Sequence, residues 1–317
     1  MFRTAKLACL AIAAAATLAA CSKTAKEPEP APTPAPVAEA PAAVAPAADM
    51  KSHAFKIGEF SAVALLDGNI ELPNDNKVFG VGLTPADVAT VLSANNLPTD
   101  NLRLSLHPLL VKTADRVLLF DTGAGGLFGP GSGHIADAFA DAGVDAATVT
   151  DIFISHSHGD HVGGLVNAEG KPAYPNATVH ISKAEWKHMQ GQDPQKALVA
   201  AIKAKVDAFA AGADLIPGVV KAVDIKGHTP GHSGYQITSG AESLLYVGDS
   251  MHHSVISVQK PEWSMGFDGD QAVGAASRAA LINELAASGQ RVYAVHFPFP
   301  GVGKMEKRGE GVVWVAE

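Results

Sequence analysis

Beyond residue 21 this chain contains no cysteine; its only two, Cys9 and Cys21, stand near the start of 317 residues. A body without thiols forms no disulfide and offers no thiolate to a metal, so imidazole and carboxylate are its only strong ligands. Aromatic residues are also scarce, at 6%, and the net charge is −8 with no long basic run. That excludes the basic surface interleaved with aromatics that nucleic-acid binding uses, and no nucleic-acid partner is expected. Apolar residues, at 47%, suffice for one large core or two small ones. Histidine is plentiful. In the run Ser155-His156-Ser157-His158-Gly159-Asp160-His161, four metal-capable groups crowd into six residues behind the strand-like Ile152-Phe153-Ile154. Burying them so close together would be costly without a cation to share.

At the N-terminus, Arg3 and Lys6 precede an apolar stretch from Leu7 to Ala20, the pattern of a secretory signal over residues 1–20. It ends in Leu18-Ala19-Ala20-Cys21, which resembles a bacterial lipobox. The resemblance implies a lipidated Cys21 as first residue of the mature protein, and Ser22 behind it implies sorting to the outer membrane of a diderm bacterium. The expected place is the cell envelope, as a lipoprotein facing the periplasm and held to the membrane by its N-terminal lipid anchor. Residues 22–49 hold 10 Ala and 7 Pro, too little apolar bulk for a core. Residues 21–52 therefore read as a disordered tether, and 53–317 as a single catalytic domain.

In the body, strand-like segments run from Ala54 to Leu66, Leu104 to Lys112 and Val117 to Phe120. Thr84-Pro85-Ala86-Asp87 reads as a helix start, with a capping Thr, Pro at the first position and an acid in the first turn. Ile135 to Ala142 reads as a helix closed by Gly143. Ser182-Lys183-Ala184-Glu185 reads as a capping box. A further helix is expected from Asp193 to Gly212, because Leu198, Ile202, Val206 and Phe209 recur at helical spacing. Strands return at 222–225, 234–238 and 244–247, and a long helix runs from about Asp270 to Ser288. Successive β-then-α runs predict an α/β fold of layered sheets with helices outside.

Three more candidates close strand-like stretches. His232 lies in the turn Gly227-His228-Thr229-Pro230-Gly231-His232-Ser233, Asp249 follows Leu244–Val247, and His296 follows Val292–Val295. Strands that each end in a ligand-type residue fit loops gathered at one edge of a sheet.

The set His156, His158, Asp160, His161, His232, Asp249 and His296 resembles the metallo-β-lactamase superfamily over the whole body. The resemblance is nearest the branch of methyl parathion hydrolase and secreted lactonases and arylesterases. Further segments that carry it are Leu66-Asp67-Gly68, Leu119-Phe120-Asp121-Thr122-Gly123, Gly126-Leu127-Phe128-Gly129-Pro130 and His296-Phe297-Pro298-Phe299-Pro300-Gly301. It implies an αββα sandwich holding two divalent metals, zinc foremost, with manganese, iron or cobalt compatible. His156, His158 and His232 would hold the first, Asp160, His161 and His296 the second, and Asp249 would bridge them. Asp121 and His228 read as groups behind the ligands, or as turn residues. The implied chemistry is attack on a carbonyl by a metal-bridging hydroxide, with Asp160 and Asp249 in catalytic positions.

A small-molecule lactone or aryl ester is the expected substrate, with phosphotriesters as the alternative. A non-catalytic metal-binding lipoprotein is a further reading. Many lactonases of the superfamily carry Tyr three residues after the bridging Asp; here that residue is His252, a candidate proton donor. Phe128, Trp186 and Phe267 are candidates for an apolar rim around the substrate. The 70–100 segment is a candidate homodimer contact.

Overall fold

The computed structural model describes residues 50–317; the expected signal, Cys21 and the tether up to residue 49 lie outside the described residues. In chain order, β1 (Ser52–Ile57) and β2 (Phe60–Leu65) form a hairpin. Next, β3 (Gly68–Pro73) and β4 (Asn101–Leu106) pair with each other, with α1 (Pro85–Ala94) between them. Then come β5 (Leu109–Lys112), β6 (Val117–Phe120), α2 (Ile135–Asp141), β7 (Asp151–Phe153) and the single turn α3 (Gly159–Val162). They are followed by β8 (Thr178–Ser182), α4 (Lys183–Gln190), α5 (Lys196–Ile202) and β9 (Val206–Phe209). A second run gives β10 (Asp214–Ile216), β11 (Val220–Asp224), β12 (Ser233–Ser239) and β13 (Glu242–Tyr246). The chain continues through α6 (Ile256–Gln259), α7 (Gln271–Ser288), β14 (Arg291–Tyr293), β15 (Val302–Arg308) and β16 (Gly311–Ala316).

Two seven-stranded sheets result, ordered β1-β2-β5-β6-β7-β8-β9 and β10-β11-β12-β13-β14-β15-β16. Period-two alternation explains why they stack. Leu118 and Phe120 of β6 and Leu244 and Tyr246 of β13 point into the core between the sheets. Leu119 turns outward onto Ile135, Phe139 and Met189, from α2 and α4. Leu245 turns outward onto Ile282 and Leu285 of α7. Apolar on both faces, these strands need a layer on each side, and the αββα sandwich expected from the sequence supplies it. A smaller core joins the β3–β4 hairpin to α1 and α6 through Leu102, Leu104, Val88, Leu92 and Ile256.

The start of α1 is as expected: Thr84 and Asp87 close a reciprocal capping box, with Pro85 at the first position. The segment 193–212 differs. Its helix stops at Ile202, and Val206–Phe209 is an edge strand paired in parallel with β8, Val179 opposite Val206 and Ser182 opposite Phe209. Four apolar residues at helical spacing did not outweigh β-branched Val206 and an open sheet edge beside it. The expected strand over 104–112 is two strands broken at His107-Pro108.

Strands β6, β7, β8 and β9 are mutually parallel, as are β13 and β14. Asp121, the 155–161 run, Asp249 and His296 all follow carboxyl ends of these strands, and the 227–233 turn enters β12 at the same edge. Open α/β sheets gather ligand-binding loops along such an edge.

Candidate metal centre

After β7 the chain turns sharply, and the glycines behind the motif show why. A Cβ on Gly163 would strike the Ala124 carbonyl, and one on Gly164 the Thr122 carbonyl. Backbone packed on backbone brings the loop after β7 against the loop after β6, and only glycine permits that approach.

The ligand-type groups form two clusters: His156, His158, His228 and Asp249, then Asp160, His161 and His296. In the first, His156 Nε2 lies 2.9 Å from His158 Nδ1, and His228 Nε2 lies 3.1 and 3.0 Å from those two atoms. In the second, His161 Nε2 and His296 Nε2 each lie 3.5 Å from Asp160 Oδ2. Asp249 reaches both: Oδ1 is 3.1 Å from His161 Nε2 and 3.0 Å from His296 Nε2, while Oδ2 is 3.4 Å from His228 Nε2 and 3.6 Å from His156 Nε2.

Of the seven residues singled out from the sequence, the structure gathers His156, His158, Asp160, His161 and His296 around the Asp249 carboxylate, while His232 meets the Asp249 backbone instead. Its Nδ1 meets the Ile225 carbonyl at 3.1 Å, and a carbonyl only accepts, so the proton is on Nδ1. Its bare Nε2 accepts the Asp249 backbone N–H at 2.9 Å. His228, read from the sequence as a supporting residue, occupies the first cluster instead. Its Nδ1 is turned to Asp268 Oδ1 at 3.1 Å, which leaves Nε2 facing inward. Asp268 is in turn paired with buried Arg278 at 3.1 Å. Neither Asp268 nor Arg278 was legible as part of the site, since both are distant in sequence and ordinary in type.

Other outer nitrogens are anchored likewise. His161 Nδ1 meets Asp121 Oδ2 at 2.7 Å, and Asp121 also accepts from Ser155 N, Ser155 Oγ and the Tyr246 hydroxyl. His296 Nδ1 donates to the Ser105 carbonyl at 2.9 Å. Such partners fix ring orientation and tautomer at metal sites.

Electrostatics separates the clusters. Burial lowers the pKa of His156, His158 and His228, the last to about 3, and so favours neutral rings. Burial also opposes charge on His161 and His296, but Asp249 and Asp160 outweigh it and raise both. Burial pushes Asp160 upward, and His161 and His296 more than reverse this, to about 2.

A cation fits this set. Three ring nitrogens face one another about 3 Å apart, more than one hydrogen-bond pattern can satisfy. Although close to each other, His161 Nε2 and Asp249 Oδ1 are not aligned for a hydrogen bond and are buried without one. Buried polar atoms left so are rare unless an ion completes them.

Two cavities flank the clusters. The larger, about 760 Å³, opens beside His158 and His228 and is lined by Phe209, Phe267 and Val273. The other, about 470 Å³, reaches His296 and His253 between Leu92, Leu102 and Phe299. Of the expected rim residues, Phe267 lines the larger cavity. Phe128 is exposed, its ring near Gly159, and Trp186 packs on the core beneath α4; neither lines these two cavities. His252 is buried. Its Nε2 is 3.1 Å from Asp249 Oδ2, and its ring stacks on His296 at 5.6 Å and lies 5.7 Å from Phe267.

The chain belongs to the metallo-beta-lactamase superfamily, whose family model matches residues 107–285, more than half of its length. A probable metallo-hydrolase of Mycobacterium bovis and one of Mycobacterium tuberculosis are each 24% identical over 204 residues, which span 51% of this chain and 62% of theirs. Among solved structures, the chain is similar to AidC, a dizinc quorum-quenching lactonase in complex with a product. That likeness has 31% identity and a TM-score of 0.79, covering 85% of this chain and 99% of that one. It is also similar to the hydrolase AbOPH of the beta lactamase superfamily, with 25% identity and a TM-score of 0.77, covering 84% and 97%.

Proposed function

We propose that this chain is a two-metal hydrolase that opens lactones or cleaves aryl esters. The observation that carries the reading is Asp249, whose two carboxylate oxygens each face a different cluster of buried ligand groups. His156, His158 and a histidine of the 227–233 turn would hold one divalent ion, Asp160, His161 and His296 the other, with Asp249 between. Zinc is the first expectation, and manganese, iron and cobalt suit the same nitrogen and oxygen donors. Bound there, such ions supply a nucleophile from water at neutral pH and draw electron density from the scissile carbonyl.

The protein's own part is to place the substrate and handle its proton. The larger cavity is of small-molecule size and largely apolar, which suits an acyl or aryl group lying against Phe267. His252 Nε2, buried 3.1 Å from Asp249 Oδ2 with its ring behind Phe267 of the cavity wall, is the group proposed to give a proton to the leaving oxygen. Likeness to a dizinc lactonase supports the lactone as substrate class. The loop segments resembling the methyl parathion hydrolase branch support that placement within the superfamily.

The test is hydrolysis by the purified chain of an acyl-homoserine lactone, an aromatic lactone, an aryl ester and a phosphotriester, each with zinc, manganese and cobalt. Lactone turnover that needs metal is the expected result. A dominant phosphotriester rate would replace the lactone with that substrate class. Two tightly held metals without turnover of any of the four would favour a binding protein. The N-terminal lipid anchor and the homodimer belong to the same proposal. Acyl labelling lost in Cys21→Ala checks the first, and sedimentation of the purified chain checks the second.

A further inference from the structure

Glu185 begins as a capping residue. Its backbone N–H is held by Ser182 Oγ at 3.1 Å at the start of α4. Its side chain, fully buried, does not return to the cap. Instead Oε1 accepts from Ser157 N at 2.9 Å and Ser157 Oγ at 2.6 Å, while Oε2 accepts from Thr229 Oγ1 at 2.7 Å and Gly231 N at 2.9 Å. Ser157 lies between His156 and His158. Thr229 and Gly231 lie between His228 and His232. One carboxylate thus fastens, with one oxygen each, the two loops that carry the imidazoles of the first cluster.

The contact is close on every side. Ser182 Oγ donates to the Gly231 carbonyl at 2.7 Å, and a Cβ on Gly231 would strike the Glu185 backbone nitrogen. The Ser157 carbonyl accepts from Gln195 Nε2. Among the described residues Glu185 makes no ion pair, so four donated hydrogen bonds, two from backbone N–H groups, are what offset its burial. A carboxylate with only two loops as partners is costly as mere packing, and its geometry has a use: it sets the distance between the His156–His158 loop and the 227–233 turn.

We propose that Glu185 is a positioning residue for the metal at the first cluster, acting through Ser157 and through Thr229 and Gly231. The proposal rests on reading those imidazoles as metal ligands. Groups that orient ligands in this way typically change metal affinity about 10- to 100-fold when removed. The second cluster has its own supports in Asp121 and Ser105, so the effect falls on one site only.

Glu185→Gln is the informative variant. It keeps the shape, but its amide NH2 must face either the Ser157 N–H or the Gly231 N–H, and neither can accept. Zinc binding by the full chain is measured by competition with a chelator, and cobalt spectra report each site. Thermal midpoints of the metal-free forms accompany them. The expected result is a first-site affinity about 10- to 100-fold weaker with the second site unchanged. Thr229→Val, which removes one bond and keeps the charge, should give a smaller loss at the same site, and it carries the test if Glu185→Gln does not fold. Wild-type affinity at both sites in the variants would overturn the proposal, as would equal weakening of both sites, the mark of a merely structural role. A wild-type chain that takes up no zinc overturns the metal reading itself, and this proposal with it.

Discussion

The two halves of the candidate metal centre are built on opposite electrostatic plans. In the first, burial keeps His156, His158 and His228 neutral, although Asp249 faces their inner nitrogens and Asp268, itself paired with Arg278, stands behind His228. In the second, His161 and His296 sit among carboxylates that favour their charged forms, with Asp160 beside both and Asp121 behind His161. The first half offers nitrogen lone pairs ready for a cation. The second offers negative charge that a cation can neutralise in place of protons. Identical ligands would not make the two places equivalent; their surroundings do not match.

Because Asp249 is the one group shared by both plans, its loss should erase the comparison. Asp249→Ala is expected to lower turnover by about 10³-fold or more and to reduce bound zinc below two per chain, read from steady-state rates and elemental analysis. Retained activity with both zincs would remove Asp249 from the centre.

Behind the second half stands His107. Its Nε2 donates to the Phe297 carbonyl at 2.9 Å, next to His296, and burial depresses its pKa to about 4. In the unfolded chain it titrates near 6.5, so between about pH 6.5 and 4 the unfolded state takes up a proton that the fold refuses. Stability should therefore fall as pH drops through that window, by about 3 kcal/mol from this residue. Urea unfolding of wild type against His107→Gln should show a flatter pH dependence in the variant. Parallel curves would mean that His107 is not the source.

His228→Ala and His232→Ala sharpen the first half. Each should weaken zinc at that site by about 10-fold or more, and the larger loss, in a chelator titration, identifies the direct donor. A loss at the second site instead would contradict the clustering. The smallest effect expected is at the cavity wall. Phe267→Ala should raise KM for an apolar acyl lactone by about 10-fold or less with little change in kcat, since truncating one half-exposed ring costs ~1–2 kcal/mol of binding.

How much of this was legible in the sequence depends on distance along the chain. His156 to His161 is local, so its spacing alone disclosed a metal motif. Asp249 and His296 were found because strand-like runs precede them. The 227–233 turn was legible as part of the site, with His232 read as its ligand, whereas the structure clusters His228 with His156, His158 and Asp249. The inward turn of His228 Nε2 follows from Asp268 and Arg278, about 40 and 50 residues away, through pairings no local pattern encodes. Glu185 was visible only as a capping residue, the role of its backbone and not of its carboxylate. Val206 to Phe209 looked helical because apolar spacing cannot register a free sheet edge. The last hairpin, β15–β16, had no signal in the pattern of candidate ligands and was not foreseen.

The β3–β4 hairpin packs on a small core apart from the sandwich, yet the carbonyl of its Ser105 holds His296 Nδ1. A unit with a core of its own can open locally while the sheets it borders stay closed. Each opening would free the His296 ring while the rest of the fold stays closed. In the proposed two-metal centre, the rate at which the second metal exchanges with solution would then follow the opening of this hairpin, and its residence time would be tuned by residues such as Leu102 and Leu104 that stand away from it.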